Sequence, residues 1–109
     1  MDQSAKIYVA GHRGMVGASI IRALKKQGYG NLLTATSDTL DLRNPAATGD
    51  FFENHRPDFV FLAAAKVGGI LANAQQGGDF IRDNLLIQTN VIDAAYRANA
   101  RKLLFLGSS

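Results

Sequence analysis

Three glycines follow the first apolar run of the chain at three-residue intervals: Gly11, Gly14 and Gly17. In this spacing the first glycine allows a tight turn, the second lets a ligand approach the backbone, and the third lets a helix pack closely. A helix that begins within this loop would offer unpaired backbone N–H groups and a partial positive charge at its first turn. Both features attract phosphate, so the spacing predicts a binding site for a pyrophosphate group.

The residues on either side of the glycines have the patterns that such a site requires. The apolar run at residues 7–10 is typical of a strand buried on both faces of a parallel sheet. From residue 15 to about residue 27, apolar residues recur at helical spacing, and Gly28 and Gly30 then end the pattern. A strand, a turn and a helix in this order favour dinucleotide binding over a purely structural turn. We expect the whole loop to contact the dinucleotide, that is, Gly11, His12, Arg13, Gly14, Met15, Val16 and Gly17.

The end of the second predicted strand distinguishes the two nicotinamide dinucleotides. An Asp or Glu there would accept hydrogen bonds from the ribose 2′-hydroxyl of NAD. Residues 34–37 read Thr-Ala-Thr-Ser instead, and the first carboxylate, Asp38, lies beyond them. Arg13 lies inside the glycine loop and could pair with the 2′-phosphate of NADP. The residues therefore favour NADP(H), while the alternative interpretation places the Arg13 side chain in solvent.

The remaining apolar runs and helical patterns alternate along the chain. Short apolar runs predict further strands, and Pro45 stands where a proline commonly opens a helix. The predicted elements are strands at residues 32–36, 39–42, 59–63 and 103–106, and helices from 45 to about 55 and from about 79 to 99. This alternation predicts an α/β fold of the Rossmann type, with a parallel sheet and helices on both faces. We expect the strand order 3-2-1-4-5, truncated after about the fifth strand.

The helix predicted at residues 79–99 is apolar over a wide arc. At the helical period the arc is about twice the ~100° that packing on one sheet requires. Its members are Phe80, Ile81, Leu85, Ile87, Val91, Ile92, Ala94, Ala95 and Tyr96. Half of this arc therefore needs a second partner. Either a further part of the same protein covers it, or the helix forms a helix-to-helix contact in a homodimer.

The composition argues against several other functions. The chain has 109 residues and a net charge of +3, and its basic residues are spread out without interleaved aromatics, which argues against nucleic-acid binding. It has no cysteine, and its two histidines, His12 and His55, are isolated, so no metal site is expected. The polar start and the short apolar runs predict neither a signal peptide nor a membrane span. The expected location is therefore the cytoplasm.

Three stretches of the sequence together resemble one family of enzymes. They are Gly-His-Arg-Gly-Met-Val-Gly at residues 11–17, Leu-Ala-Ala-Ala-Lys-Val-Gly-Gly-Ile at residues 62–70, and Lys-Leu-Leu-Phe-Leu-Gly-Ser-Ser at residues 102–109. They resemble the GDP-L-fucose synthases, which are extended short-chain dehydrogenases/reductases. The resemblance implies a two-part reaction. GDP-4-keto-6-deoxy-D-mannose is epimerised at C3 and C5, and C4 is then reduced by hydride from NADPH.

The resemblance also implies roles for individual residues. Arg13 matches an arginine that contacts the 2′-phosphate, and Asp41 with Leu42 matches a segment that lies against the adenine. Ser108 matches a catalytic serine that hydrogen-bonds the reacting keto oxygen. The residues that match a turn beside the cofactor ribose and nicotinamide are Ala63, Ala64 and Ala65.

The sequence also departs from the family pattern. Family members often place an arginine at the end of the second strand, where Ala35 and Ser37 stand here. These reductases use a tyrosine and a lysine four residues later for proton transfer, and none of the three tyrosines has a lysine at that offset. We therefore expect residues 1–109 to be the N-terminal, cofactor-binding part of the enzyme, inactive alone and without its C-terminal substrate domain.

Two other hypotheses stay open from the sequence. One is a different NAD(P)-dependent nucleotide-sugar epimerase or dehydratase, which would turn over another sugar nucleotide. The other is a module that binds a dinucleotide or assembles with itself without any chemistry. The second hypothesis leaves a sheet edge unpaired and a helix face bare, which predicts poor solubility or self-association.

Overall fold

The computed structural model describes residues 3–36, 38–63 and 77–105. Within these ranges the chain alternates between strands and helices. The strands are β1 (Ile7–Ala10), β2 (Leu32–Leu33), β3 (Phe59–Leu62) and β4 (Lys102–Phe105), and the helices are α1 (Met15–Lys26), α2 (Pro45–His55) and α3 (Gly77–Arg97). The helix bounds lie close to those predicted, because apolar spacing and the glycine and proline signals at helix ends are readable in the sequence.

The described strands form one parallel sheet with β1 and β3 at its centre. Their order is β2-β1-β3-β4, and Ile7 of β1 stands opposite Leu32 on one side and Phe59 on the other. Phe59 in turn stands opposite Lys102 of β4. β1 is buried along its whole length, as its apolar run predicts. The Rossmann-type fold class is confirmed, and these four strands have the relative order that the sequence predicted for them.

The prediction of a strand at residues 39–42 is wrong, and the described sheet has four strands where five were expected. The backbone N–H groups of Thr39 and Leu40 both donate to the carbonyl of Thr36, at 3.0 and 2.8 Å. A turn of this kind uses the groups that a strand would pair with a neighbour. Leu40 and Leu42 are buried on either side of an exposed aspartate, and this alternation imitates a strand. β2 is shorter than predicted because its pairing with β1 ends at Leu33.

Helices cover both faces of the sheet. On one face, α2 and α3 pack on β1 and β3 in a core that includes Tyr8, Phe52, Val60, Leu62 and Val91. On the other face, Ile7 and Val9 pack against Leu24 of α1. Alternate residues of β1 therefore serve opposite faces, as the period of a strand requires. Phe52 and Val91 have no exposed surface, and burial of such a side chain stabilises the fold by about 1.5–3 kcal/mol.

The start of α2 fixes the position of the segment that precedes it. The side-chain oxygen of Asn44 accepts hydrogen bonds from the N–H groups of Ala46 and Ala47, at 3.0 and 3.1 Å. Pro45 occupies the first turn, where its missing N–H costs nothing. A cap of this kind contributes about 1 kcal/mol. Residues 41–43 come directly before this cap and are thereby held at a fixed end of the helix.

α3 is apolar on two sides, and the described residues cover only one of them. The buried side, against the sheet and α2, consists of Val91, Ala94 and Ala95. On the other side Leu85, Ile92 and Tyr96 have exposed fractions of 57%, 45% and 82%. The side chains of Phe80 and Ile81, which the sequence also assigned to the apolar arc, lie outside the described residues. None of the described helices is long and apolar enough to cross a membrane.

Candidate dinucleotide-binding site

Two of the three glycines are required by the way β1 turns into α1. Gly11 has a φ of +84°, in the left-handed region that residues with side chains rarely adopt. The N–H of Gly14 donates to the carbonyl oxygen of Gly11 at 3.0 Å, which closes the turn. A Cβ atom on Gly17 would overlap the carbonyl group of Gly11, lying 2.6 Å from its carbon. Gly11 and Gly17 therefore let the first turn of α1 pack directly on the loop.

Gly14 has no comparable constraint from the protein itself. Its φ is −73°, a value that any residue adopts. An added Cβ would meet only the carbonyl oxygen of Gly11, at an ordinary contact distance of 3.5 Å. Gly14 also borders a cavity beside the loop. Its missing side chain therefore matters for whatever approaches from that cavity rather than for the fold.

The N-terminus of α1 is open to a ligand. Gly14 occupies the N-cap position without a side chain that could accept a hydrogen bond, and the first turn contains no Asp or Glu. The first N–H groups of a helix have no acceptor within it, and the helix dipole adds about half a positive charge there. Met15 and Val16 in this turn expose 88% and 43% of their surface. A helix end of this kind favours an anion as its ligand.

The cavity beside the loop has a volume of about 670 Å³. It lies at the carboxyl ends of β1 and β3, where the strand order reverses, since β1 pairs with β2 on one side and with β3 on the other. Dinucleotides bind in crevices of this kind in open parallel sheets. The predicted site residues that the structure brings together around it are Gly11, His12, Arg13, Gly14, Asp41, Leu42 and Ala63.

The other predicted site residues are placed differently. Met15, Val16 and Gly17 belong to the first turn of α1, with Gly17 packed under the loop. Ala64, Ala65 and Ser108 lie outside the described residues. The roles that the resemblance gives to those three stay predictions.

An ion pair that the sequence analysis missed fixes the segment before α2. Arg43 donates from Nε to Oδ1 of Asp41 and from Nη2 to its Oδ2, both at 3.0 Å. The guanidinium also approaches Asp83 of α3, with Nη1 3.4 Å from Oδ2. These hydrogen bonds from Arg43 hold the pKa of the Asp41 carboxyl below its ordinary value, and they raise the pKa of Arg43. Both side chains are about half exposed. The pair therefore fixes the positions of the two side chains more than it stabilises the fold.

The backbone of this segment is also bound to α3. The amide of Asn90 donates from Nδ2 to the carbonyl oxygen of Leu42 at 2.9 Å. The hydroxyl of Thr48 on α2, which is fully buried, also donates to the carbonyl oxygen of Leu42, at 3.4 Å. The wall of the cavity formed by Asp41 and Leu42 is therefore held from α2 on one side and from α3 on the other.

The arginines that border the cavity differ in whether a carboxylate is paired with them. Arg43 is occupied by Asp41 and Asp83. Of the described cations that border the cavity, Arg13 is the one without a carboxylate partner. Asp38 borders the same cavity from the turn after β2. Because Arg13 has no carboxylate partner among the described residues, it is the group best placed to pair with an anionic substituent of a ligand. In the described part of the chain no cluster of three or more potential metal ligands occurs.

Several residues that border the cavity were not predicted from the sequence: Tyr8, Thr36, Arg43 and Ile87. The signal for Arg43 was its position two residues after Asp41, which allows a fork around that carboxylate. The signal for Tyr8 was a hydroxyl within an otherwise aliphatic strand. The position of Ile87 depends on how α3 crosses the sheet, for which the sequence carries no local signal.

The sequence matches the NAD dependent epimerase/dehydratase family over residues 7–109. The chain therefore belongs to this family. The glycine loop at the reversal of strand order and the cavity beside it are consistent with that membership.

Within the family the chain is similar to GDP-L-fucose synthases. It is 56% identical over 108 residues to GDP-L-fucose synthase 1 of Arabidopsis thaliana, covering 99% of this chain and 33% of that protein. It is 50% identical over 104 residues to the GDP-L-fucose synthase of Escherichia coli K12, covering 95% and 32%. The resemblance that the three sequence stretches indicated is confirmed. The chain spans about a third of the length of these relatives.

A solved structure adds a bound dinucleotide to the comparison. The GDP-mannoheptose C4 reductase MlghC of Campylobacter jejuni, with NADP bound, is 42% identical to this chain with a TM-score of 0.90. The match covers 98% of this chain and 34% of that one. The fold described above is therefore one that holds NADP in a similar protein.

Proposed function

We propose that residues 1–109 form the NADP(H)-binding, N-terminal part of a GDP-L-fucose synthase. The complete protein would epimerise C3 and C5 of GDP-4-keto-6-deoxy-D-mannose and reduce C4 with NADPH. One observation carries the proposal. The open N-terminus of α1 borders the same cavity as Arg13, which has no carboxylate partner among the described residues, and this cavity lies at the reversal of strand order.

The glycine loop would hold the pyrophosphate of the cofactor. The backbone of Gly11, His12 and Gly14 borders the cavity, and the first turn of α1, with Met15, Val16 and Gly17, offers N–H groups and positive potential. The absence of a side chain at Gly14 leaves space for close approach. The residues that would form this subsite are Gly11, His12, Gly14, Met15, Val16 and Gly17.

Arg13 would pair with the 2′-phosphate and so favour NADP(H) over NAD(H). A planar guanidinium can form two parallel hydrogen bonds to a phosphate. Arg13 is available for this because no described carboxylate pairs with it. Asp38 borders the same cavity and would oppose the phosphate, which limits how strong the preference becomes.

The opposite wall of the cavity would take the adenine and the ribose. Asp41 and Leu42, held by Arg43 and Asn90, form a firm edge for the base. Ala63 follows β3 and borders the cavity, and with Ala64 and Ala65 it would form the turn beside the ribose and the nicotinamide.

The chemistry follows from the 4-keto group of the substrate. A carbonyl at C4 makes the hydrogens on C3 and C5 acidic, so both centres can lose and regain a proton. NADPH, when bound, supplies the hydride that reduces C4. We propose Ser108 as the catalytic serine that hydrogen-bonds the keto oxygen. The tyrosine and lysine pair expected for proton transfer does not occur within residues 1–109, so we expect turnover to need more of the protein than these residues.

A second candidate is a GDP-sugar C4 reductase that does not epimerise its substrate. The identity of 42% to a protein described as a GDP-mannoheptose C4 reductase supports it. The two candidates share the cofactor site and differ in what happens at C3 and C5. The identity to the GDP-L-fucose synthases of Arabidopsis thaliana and Escherichia coli is higher, at 56% and 50%, and for this reason we favour the epimerase/reductase.

We also propose that the protein is a homodimer that pairs through α3 and that it resides in the cytoplasm. Leu85, Ile92 and Tyr96 lie seven and four residues apart, so they form one stripe along the helix. A second copy of α3 would cover this stripe in a twofold-symmetric contact. Fractionation of cells that produce the protein tests the location.

The proposed function is tested with the protein as its gene encodes it. Calorimetric titration with NADPH and NADH measures the cofactor preference, and incubation with GDP-4-keto-6-deoxy-D-mannose and NADPH measures turnover. We expect tighter binding of NADPH and formation of GDP-L-fucose. Binding of neither dinucleotide would overturn the proposal, whereas reduction without epimerisation would favour the C4 reductase.

A further inference from the structure

Tyr8 is the largest fully buried side chain of the described residues, with 1% of its surface exposed. It lies on β1, and its ring packs against Phe51 and Phe52, with ring centroids 4.8 and 5.6 Å away. These contacts hold the ring in one orientation. Tyr8 has no part in the dinucleotide site proposed above.

The Tyr8 hydroxyl has no partner within the described part of the chain. No hydrogen bond joins it to another described side chain or backbone group, yet every fully enclosed side-chain oxygen or nitrogen of the described residues has a partner. The oxygen is therefore not fully enclosed. Tyr8 borders the cavity of about 670 Å³ beside the glycine loop, and that cavity is where a partner for the hydroxyl would lie.

A hydroxyl in this position is a hydrogen-bond donor that has not been satisfied. Burial raises the pKa of Tyr8 above its ordinary value, so the hydroxyl stays protonated in any physiological buffer. Most polar side-chain atoms inside folded proteins are paired with other protein groups, and the Tyr8 oxygen has no such partner among the described residues. A ligand with a hydrogen-bond acceptor would supply one.

The surroundings of Tyr8 indicate which part of a dinucleotide would lie above it. Tyr8 belongs to the same core cluster as Leu40 and Leu42, with Ala35 and Ile87 packed against that cluster. All of these residues also border the cavity. This apolar end suits a flat aromatic base, whereas phosphates would lie at the glycine loop. An adenine ring carries nitrogen acceptors on its edges, among them N3 and N7.

We propose that the Tyr8 hydroxyl donates a hydrogen bond to a ring nitrogen of the bound adenine, which makes Tyr8 a further cofactor-binding residue. The inference rests on the proposed function, because it needs an adenine dinucleotide in this cavity. It adds a donor on the floor of the base subsite to the walls formed by Asp41 and Leu42. The hydroxyl would favour ligands that contain adenosine over ligands that lack the adenine base.

Tyr8→Phe tests the inference because it removes one oxygen and keeps the ring contacts with Phe51 and Phe52. Titration calorimetry on the full protein would use NADPH, 2′,5′-ADP and reduced nicotinamide mononucleotide as probes. We expect Tyr8→Phe to weaken the first two by the same factor, about threefold to tenfold for one hydrogen bond, and to leave the third unchanged. The thermal midpoint of the unliganded protein should not fall, since Phe keeps the ring contacts and no hydrogen bond within the described residues is lost.

Tyr96→Phe is the matched control. It makes the same chemical change on an exposed residue of α3, with 82% of its surface exposed, and it should leave all three affinities unchanged. Equal affinity of Tyr8→Phe and the unaltered protein for NADPH would overturn the inference while leaving the proposed function intact. A loss that also affects the mononucleotide, or that comes with a lower thermal midpoint, would overturn it as well. If the unaltered protein binds none of the probes, the proposed function itself fails.

Discussion

The guanidinium of Arg43 binds both carboxylate oxygens of Asp41, each at 3.0 Å. Its remaining nitrogen lies 3.4 Å from Asp83 on α3. One side chain therefore joins the segment before α2 to a helix that lies forty residues later in the chain. Because Asp41 borders the candidate cofactor cavity, the orientation of its carboxylate is set before any ligand arrives.

The acid titration of Asp41 provides the first prediction. Hydrogen bonds from Arg43 lower the pKa of the Asp41 carboxyl in the folded protein. The pair therefore stabilises the folded state above the unfolded pKa of about 3.9. This stabilisation is lost as the pH falls through the lower pKa of the folded protein. Carbon-detected NMR of the carboxyl group should show a midpoint below that of an unperturbed aspartate. Arg43→Gln should raise this midpoint, whereas Arg56→Gln, which breaks the separate ion pair with Glu53, should not. An ordinary midpoint in the unaltered protein contradicts the prediction.

Substitution of Gly17 should affect mainly the stability of the fold, and substitution of Gly14 should affect mainly the binding of the cofactor. Gly17→Ala places a Cβ against the backbone carbonyl of Gly11, which cannot move as a side chain end could, and we expect a loss of about 1–3 kcal/mol in the free energy of unfolding. Gly14→Ala makes only an ordinary contact and should cost less than about 1 kcal/mol, yet it should weaken NADPH binding. Chemical denaturation and calorimetry measure the two effects. Equal stability of both variants would show that the close packing at Gly17 is not as described.

Arg13→Gln should lower the affinity for NADPH and leave the affinity for NADH nearly unchanged. A hydrogen bond to a charged group is worth about 1.5–3 kcal/mol, which corresponds to roughly tenfold to a hundredfold in the dissociation constant. Arg22→Gln is the control, because Arg22 bonds to Ser19 on α1 and does not border the cavity. A parallel loss for both dinucleotides would assign Arg13 to the pyrophosphate rather than to the 2′-phosphate.

The exposed stripe on α3 should control the oligomeric state. Ile92→Glu places a charge in the middle of the stripe and should convert the proposed homodimer to a monomer at micromolar concentration in sedimentation velocity runs, since an unpaired charge in an apolar interface is costly. Lys26→Glu, an exposed change at the end of α1, is the control and should leave the dimer intact. If the unaltered protein sediments as a monomer, another part of the same protein covers the stripe.

The sequence carried enough information to predict most of the fold. Buried parallel strands are short apolar runs, and β1 and β3 were recognisable for that reason. The helix starts at Met15 and Pro45 were predicted from a glycine loop and a proline. The prediction of a strand at residues 39–42 failed because burial alternates there as it does in a strand, whereas the backbone N–H groups form hydrogen bonds within a turn. Which partner a backbone group chooses is not visible in the pattern of apolar residues.

The site was less predictable wherever it depends on contacts between distant residues. The glycine loop is a local motif, so its position at the cavity followed from the sequence. The link from Arg43 to Asp83 depends on where α3 crosses the sheet, which no local pattern specifies. The position of Tyr8 at the border of the cavity depends on the packing of the strand, two helices and the turn after β2. Such features require three-dimensional coordinates.

The proposed epimerisation and reduction are tested together by turnover of GDP-4-keto-6-deoxy-D-mannose by the complete protein in deuterated water with NADPH, followed by NMR of the product. Epimerisation through loss and return of a proton exchanges hydrogen for deuterium at each centre. We predict GDP-L-fucose that carries deuterium at C3 and C5, with one NADPH oxidised per product formed. A product reduced at C4 but without deuterium at C3 and C5, or no consumption of NADPH, would contradict the account.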